Sequence, residues 1–300
     1  MTMRFRLCLI GIALCVLAAR VSAAPFAFAV VAHAPATGGE AGLREAIERT
    51  DADNLAFVVV NGLKRGDEAC ADSVYVERSE LLQQAKNGII VSPAASDWVQ
   101  CPPGTRTAAN GRLNRLRELL FADDFSQGGS RLPLVRQSAV ARFRGFPENA
   151  RWEIGQVLFA TVDLPAGNNH FVTAAGRNSE FEDRSVANRD WIHRLFVYAA
   201  LRKMKVLVLF CDGDPMQPPP GVARDGYAEV RRQLTTRATK FNGKVVIVHA
   251  EPHGTAGAIE WHDGIGRLAV PPGTTRVAVD VASGVSLDAQ PLAGSSGRSR

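Results

Sequence analysis

The sequence lacks several short motifs that mark catalytic or metal sites. It has no Gly-x-Ser-x-Gly segment, no glycine-rich loop followed by lysine, and no Cys-x-x-Cys pair. The first motif presents a serine nucleophile, the second surrounds phosphates with backbone N–H groups, and the third holds zinc. The sequence therefore gives little support to these three kinds of site.

Clustered basic charge is also lacking. The chain has 35 Lys and Arg against 30 Asp and Glu, a formal charge of +5. Three arginines and no acid precede residue 24, so the remainder carries +2. Arg298 and Arg300 lie at the chain end, which leaves the part between near neutral. Because nucleic-acid binding needs a clustered basic face, we expect no nucleic-acid partner.

Residues 1–23 have the pattern of a secretory signal. Arg4 and Arg6 precede an apolar stretch from Leu7 to Ala18, and small residues end at Ala23. The alternative is a membrane anchor, but this stretch is short beside the roughly 20 residues that span a bilayer. We expect cleavage after Ala23, no stable membrane anchor afterwards, and a periplasmic or secreted protein.

Cysteine is scarce. The chain has five cysteines, and two of them lie within residues 1–23. Cys70 and Cys101 each lie in a polar loop after an apolar run, and an oxidising compartment permits a disulfide between them. The alternative is two free surface thiols. We predict the Cys70–Cys101 disulfide and a buried free thiol at Cys211, which ends an apolar run.

Five apolar runs, each typical of a strand, end in a short polar loop. In an open α/β sheet, ligands bind beyond the carboxyl ends of the strands. We therefore expect any functional site in these loops. The runs are residues 26–31, 55–60, 88–91, 206–210 and 245–248.

Stretches with helical spacing alternate with these runs, which indicates the α/β class. We predict two mixed β-sheets packed face to face and flanked by helices, in one domain of residues 24–288 with a disordered polar tail, 289–300. The sequence around Gly155 predicts two antiparallel strands. The predicted helices are residues 41–50, 76–86, 111–121, 185–203 and 226–240; the last two predicted strands are 266–270 and 276–281.

The order of these blocks resembles the calcineurin-like metallophosphoesterase superfamily, in particular exported members. Similar proteins have Gly-Asp-x-Pro where this chain has Ala32–Pro35. They have Gly-Asp before a turn where it has Asn61-Gly62, and Pro-Gly-Asp-Asn-Glu-Trp where it has Pro93–Trp98. The resemblance covers Phe26 to Val281 and implies a four-layer α/β/β/α sandwich.

The departures from the family are larger than the matches. Active members hold two metal ions, which clamp the phosphoryl oxygens and generate a hydroxide nucleophile. Carried over to this chain, the first metal-binding Asp is His33 and the bridging Asp is Gly62. Ala95 replaces an amide or acid ligand, and Ser96 replaces the group that protonates the leaving alcohol. Gly62 and Ala95 have no donor atoms, so the resemblance implies that a two-metal centre of the family type cannot form.

Residues that are able to bind metal remain near the strand ends. One interpretation is a rewired site for one divalent ion, zinc or manganese, held by histidine and carboxylate. The other is a vestigial polar crevice that holds no metal. The candidate ligands are His33, Asp97, Asp212, Asp214, Glu251 and His253.

Asn168-Asn169-His170 forms another polar stretch. Its amides could position a phosphate or a sugar. The plainer interpretation is a turn, because Asn tolerates left-handed backbone geometry.

Two functional hypotheses follow. The first is a catalytically degenerate exported protein that keeps the phosphoesterase scaffold and binds a small phosphorylated ligand or a protein. Gly62, Ala95 and Ser96 favour it. The second is a phosphoester hydrolase with a rewired metal site, which His33, Asp212, Glu251 and His253 favour.

Overall fold

The computed structural model describes residues 24–32, 39–102, 109–172, 178–251, 257–282 and 285–292. Among these residues, no helix is both long enough and apolar enough to cross a membrane. The strands are β1 (Phe26–Ala32), β2 (Val58–Asn61), β3 (Ile89–Ser92), β4 (Val135–Arg136), β5 (Ala150–Ile154), β6 (Val157–Thr161), β7 (Val206–Cys211), β8 (Lys244–Ala250), β9 (Glu260–His262), β10 (Ile265–Val270), β11 (Gly273–Asp280) and β12 (Ser286–Pro291). The helices are α1 (Gly39–Asp51), α2 (Asp72–Gln83), α3 (Ala95–Trp98), α4 (Ala109–Leu120), α5 (Ser179–Leu201) and α6 (Ala228–Ala238).

The strands form two mixed sheets. The first has the order β12-β11-β1-β2-β3, with β1, β2 and β3 parallel and β11 antiparallel to β1. The second has the order β4-β5-β6-β7-β8-β10-β9, with parallel pairing from β6 through β10. Each sheet therefore directs the carboxyl ends of its parallel strands, β1 to β3 in the first and β6, β7, β8 and β10 in the second, to one edge, as the α/β pattern predicts.

The two sheets pack face to face. One buried apolar cluster combines residues of β1 and β2 with residues of β5 to β8, and aromatic rings lie at its centre. Phe57 stacks on Phe28 at 5.0 Å between ring centroids and meets the rings of Phe159 and Trp152 edge-on at 4.8 and 5.3 Å. Such pairs stabilise a core beyond the area they bury. The predicted sandwich is confirmed at this level.

Helices cover both outer faces of the sandwich. On the first sheet, Leu43 of α1, Leu82 of α2 and Leu116 of α4 pack against side chains of β1 to β3. On the second sheet, α5 and α6 pack against β6, β7 and β8 through residues such as Leu195 and Leu234. Successive strand side chains point to opposite faces, so each central strand contributes to both an inner and an outer core.

Helix α5 begins earlier than predicted, and strand β12 was not predicted. Helix α5 begins at Ser179 rather than near residue 185, because Glu180 and Glu182 lie in its first turn, where carboxylates stabilise a helix. Strand β12 runs to Pro291, three residues past the predicted domain end, because it pairs with β11 along its length. Residues 293–300 of the predicted tail lie outside the described residues.

The predicted disulfide is confirmed. Cys70 and Cys101 are bonded, with their Cα atoms 5.8 Å apart, and Cys211 is a buried free thiol. Cys70 lies between β2 and α2, and Cys101 follows α3. The bond therefore joins the loop after β2 to the loop after β3.

We expect that replacing both Cys70 and Cys101 by serine lowers the free energy of unfolding by roughly 3–4 kcal/mol, the stabilisation estimated for closing a loop of this size. The bond joins residues that are 31 positions apart along the chain. Urea unfolding of the purified protein measures the change, and Cys211→Ser is the control that leaves the bond intact. Equal stability of the double variant and the parent chain would contradict a structural role for the bond.

Candidate functional site

The strand ends of the two sheets meet at one place. Asn61, the last residue of β2, donates a hydrogen bond from Nδ2 to the carbonyl oxygen of Cys211, the last residue of β7, at 2.8 Å. Both residues are buried. The ends of β2 and β7, two of the five apolar runs, therefore lie side by side, and the group of loops after β2, β3, β6, β7 and β8 is called the exit site below.

Asp212 joins three of these loops. It follows β7, and its Oδ2 accepts the N–H of Ala95 at 2.7 Å and the N–H of Ala166 at 2.8 Å. Its own carbonyl accepts the N–H of Ala250 at 3.1 Å. Because the side chain is buried, this carboxylate supplies acceptors that water would otherwise provide. Asp212 thus acts as a crosslink between the loops after β3, β6 and β8.

Asp97 crosslinks the loops after β2 and β3 in the same way. Its Oδ1 accepts the N–H groups of Leu63 at 2.8 Å and Lys64 at 3.2 Å, and its Oδ2 accepts that of Ala94 at 2.9 Å. Burial raises the pKa of Asp97 to about 6, against the opposing effect of these amides and of Lys64. Both carboxylate oxygens therefore face backbone amides.

Asp214 and His249 lie together beside the second sheet. Asp214 Oδ1 accepts the N–H of Met216 at 2.8 Å, and Oδ2 forms an ion pair with Arg267. His249 is buried, and its Nε2 lies 3.8 Å from Asp214 Oδ2. The distance is too long for a hydrogen bond. Asp214 is thus neutralised by an arginine.

The remaining candidate ligands are only partly placed. Glu251 follows β8 and is partly exposed, and its backbone N–H donates to Val270 O at 2.8 Å. His33 and His253 lie outside the described residues. Within the part of the chain that the structure describes, no three His, Cys, Asp or Glu side chains come together to hold a metal ion.

Gly62, Ala95 and Ser96 follow the ends of β2 and β3. Gly62 has φ +84°, a conformation that favours glycine. Ala95 offers no side-chain donor, and its N–H occupies the Asp212 carboxylate. Ser96 is buried, and its Oγ has no hydrogen-bond partner among the described residues.

Comparison with known proteins adds nothing to this geometry. No protein-family model matches the chain, and no curated protein matches it. The chemistry of the exit site therefore has to be argued from its own residues.

Sequence reasoning missed a buried polar cluster beside the exit site. Asp163 follows β6, is fully buried, and lies 3.9 Å from Arg184 Nε of α5. Neither carboxylate oxygen of Asp163 has a hydrogen-bond partner among the described residues. Glu148, also buried, accepts two hydrogen bonds from Arg117, at 3.0 and 2.5 Å. The only sequence signal was a charged residue between the apolar Val162 and Leu164.

The Asn168–His170 stretch is the turn that the sequence predicts. Gly167, Asn168, Asn169 and His170 all have positive φ, between 52° and 75°. Arg184 holds it by donating to the side chain of Asn169 at 2.5 Å and to its carbonyl at 2.9 Å. Non-glycine residues in this region are strained by about 1–3 kcal/mol each and persist only where their surroundings fix them. The arginine supplies that constraint.

The turn places an imidazole at the edge of the exit site. His170 Nδ1 lies 2.9 Å from Glu180 Oε2, and its ring meets Trp98 edge-on at 4.8 Å between centroids. Burial opposes ionisation of Glu180, but His170 and Arg184 lower the pKa of this carboxylate to about 2. Trp98, Trp152 and Trp191 are buried, and His193 and His262 are exposed.

We expect Asp212→Ala to lower the free energy of unfolding by roughly 2–6 kcal/mol, because it leaves the buried N–H of Ala95 and the partly buried N–H of Ala166 without this acceptor, at about 1–3 kcal/mol each. Asp212→Asn, which keeps one oxygen, should lose less. Asp190→Ala, which removes a surface ion pair with Arg194, is the matched control and should change stability by less than about 1 kcal/mol. Urea unfolding with and without EDTA measures all three. A loss that vanishes in EDTA would instead identify Asp212 as a metal ligand.

The raised pKa of the buried Asp163 carboxyl makes the free energy of unfolding depend on pH. Burial raises the pKa of this carboxyl to about 7, against the effect of Arg184, from an ordinary value of about 4. The folded state therefore binds more protons than the unfolded state between about pH 4 and pH 7. This contribution to stability is complete below pH 4 and is lost as the pH rises through 7.

We expect Asp163→Asn, which cannot ionise, to gain stability relative to the parent chain between pH 4 and pH 8. The gain should be on the order of 1–4 kcal/mol, since each pKa unit corresponds to about 1.4 kcal/mol. Denaturant unfolding at both pH values measures the difference. If the free energies of unfolding of Asp163→Asn and the parent chain differ by the same amount at pH 4 and at pH 8, the pKa of Asp163 is not raised.

Proposed function

We propose that this chain is an exported, catalytically degenerate protein with a calcineurin-like phosphoesterase scaffold, and that it acts by binding. The observation that carries the proposal is the hydrogen bond from Ala95 N–H to Asp212 Oδ2, 2.7 Å long. Ala95 stands where the resemblance places a metal ligand that this chain lacks, and the bond joins it to the carboxylate of Asp212, which the chain retains. A residue that the scaffold would use for metal is thereby used to hold two loops together.

The architecture supports the scaffold part of the proposal. Two mixed sheets pack face to face with helices outside, and the exit loops of both sheets meet. The order of the exit loops along the chain is the order in which the resemblance places its blocks. The disulfide between the loops after β2 and β3 supports export, because such bonds persist in oxidising compartments.

Three features of the exit site support the loss of catalysis. Gly62 has no donor and has the backbone conformation of a glycine turn. Asp97 is buried against three backbone N–H groups. Asp214 pairs with Arg267. A carboxylate that bridges two divalent ions screens their mutual repulsion. Gly62 has no carboxylate, and those of Asp97 and Asp214 are already paired with backbone N–H groups and with Arg267.

One observation favours the second candidate function, a hydrolase with a rewired metal site. His249, the residue before the end of β8, has a buried Nε2 without a hydrogen-bond partner among the described residues, 3.8 Å from Asp214. Neutral imidazole beside a carboxylate is a common zinc-ligand pair. The two candidates differ in metal content and turnover.

Metal content and turnover test the proposal together. We expect the protein, purified without chelator, to carry less than one equivalent of manganese, iron or zinc by elemental analysis. With each metal added, hydrolysis of phosphate mono- and diesters should not exceed that of the metal alone. Two equivalents of metal with robust turnover would overturn the proposal, and one equivalent with turnover lost in His249→Ala would establish the second candidate.

A gain-of-ligand variant makes the test sharper. Gly62→Asp combined with Ala95→Asn and Ser96→His returns two of the family's ligands and the group that protonates the leaving alcohol, and we expect it to raise metal affinity at least tenfold. The matched control is Gly62→Ala with Ser96→Ala, which brings the same strain at φ +84° without donors. Equal metal affinity of the two variants would contradict the assignment of these positions to the family's ligands.

A further inference from the structure

A groove lies on the outer face of the second sheet, apart from the exit site. It has a volume of about 300 Å³ and runs between α5 and the edge strands β4 and β5. Its floor includes the buried Trp191, and its walls include Val135, Val140, Val197 and Leu201. It shares no residue with the loop crosslinks described above. Its volume is at the lower end of the range of about 300–1,000 Å³ that is usual for small-molecule sites.

The rim of this groove exposes apolar surface. Val135 is 47% exposed, Val197 43% and Leu201 77%. Single exposed apolar residues are ordinary on protein surfaces. Here three of them line one hollow, and Val197 and Leu201 lie one turn apart on α5, next to the ring of Tyr198. Their exposure leaves a continuous apolar wall that a hydrocarbon chain would cover.

Basic groups surround this apolar wall. The guanidinium group of Arg151 stacks on Tyr198, 3.6 Å from the ring centroid, and that of Arg202 lies 6.0 Å from the same ring. Arg194 lines the groove with about half of its side chain exposed. Glu153 pairs with Arg151 at 3.6 Å and with Arg202 at 3.8 Å, and Asp190 pairs with Arg194 at 2.6 Å.

A fourth arginine adds no excess charge, because it is buried and the carboxylates of Asp123, Asp124 and Glu148 act on it. Arg136 also lines the groove, and it donates to the main-chain carbonyls of Asp123 and Pro147 at 2.7 and 2.8 Å. The rim thus has the three guanidinium groups of Arg151, Arg194 and Arg202 against the two carboxylates of Glu153 and Asp190. His193 beside them adds no negative charge. An anionic group is the complement of this rim.

We propose that the groove binds a small anionic amphiphile, a single-chain alkyl carboxylate whose tail lies along Val197 and Leu201 and whose carboxylate lies among the arginines. Charge complementarity identifies the head, and the exposed apolar wall identifies the tail. The volume suits one chain rather than a two-chain lipid. The inference stands apart from the proposed function, because it uses none of the residues of the exit site.

A homologous series of ligands tests the proposal. We expect octanoate, decanoate and dodecanoate, each below its micelle concentration, to bind the purified full chain with affinity rising about fourfold per methylene until the groove is filled. Decanol should bind about tenfold or more weakly than decanoate, because it lacks the charge that the arginines complement. Isothermal titration calorimetry measures both. Equal affinity for decanol and decanoate would overturn the proposal.

Matched variants locate the ligand. Val197→Glu and Leu201→Glu should abolish decanoate binding while the circular dichroism spectrum stays unchanged, because both residues are exposed. Val76→Glu on α2, 39% exposed, is the matched control and should bind decanoate as the parent chain does. Arg194→Gln combined with Arg202→Gln should remove the preference for decanoate over decanol.

Three results would contradict the proposal. One is decanoate binding that survives both glutamate variants. Another is binding to phospholipid vesicles without binding to monomeric decanoate. The third is a dimer in sedimentation analysis that Leu201→Glu disperses, since a second copy of the chain would then cover the groove.

Discussion

The exit site depends on the burial of carboxylates against backbone amides. Asp212 takes up the N–H groups of Ala95 and Ala166, and Asp97 takes up that of the neighbouring Ala94. Two consecutive amides of one loop are therefore held by two different carboxylates. Loops after four strands have their relative positions set by these few hydrogen bonds. Since a buried N–H without an acceptor is costly, neither carboxylate can turn to another ligand without releasing a loop.

The sandwich behind the site gives these hydrogen bonds their fixed geometry. Aromatic rings from both sheets, Phe28, Phe57, Trp152, Phe159 and Phe210, fill the space between the sheets and contact one another edge-on or in stacks. Close packing of this kind transmits strain rather than absorbing it. The strand ends consequently keep a constant separation, and Asn61 spans it with one hydrogen bond. Packing between the sheets sets the distance between the strand ends, and the side chain of Asn61 is long enough to span that distance.

Much of the fold could be predicted because it depends on local patterns. Apolar runs, helical spacing and turn residues identified most strands and helices, and paired polar loops identified the Cys70–Cys101 bond. Strand β12 was missed, because its alternation is weak and only pairing with β11 orders it. The site was harder to predict. Asp97 and Asp212 were predicted as candidate metal ligands, and the structure pairs them with backbone N–H groups up to 117 positions away along the chain. The Asp163 cluster was missed for the same reason.

Cys211 has a consequence for the order of events in folding. Once β7 is in place, this thiol is buried, and burial raises its pKa well above the ordinary range, so it is neither accessible nor ionised. Cys211 is chemically able to form a disulfide with Cys70 or Cys101, but in the folded chain those two are bonded to each other. Closure of the second sheet therefore withdraws Cys211 from thiol exchange and leaves the Cys70–Cys101 pairing without a competing thiol from this strand.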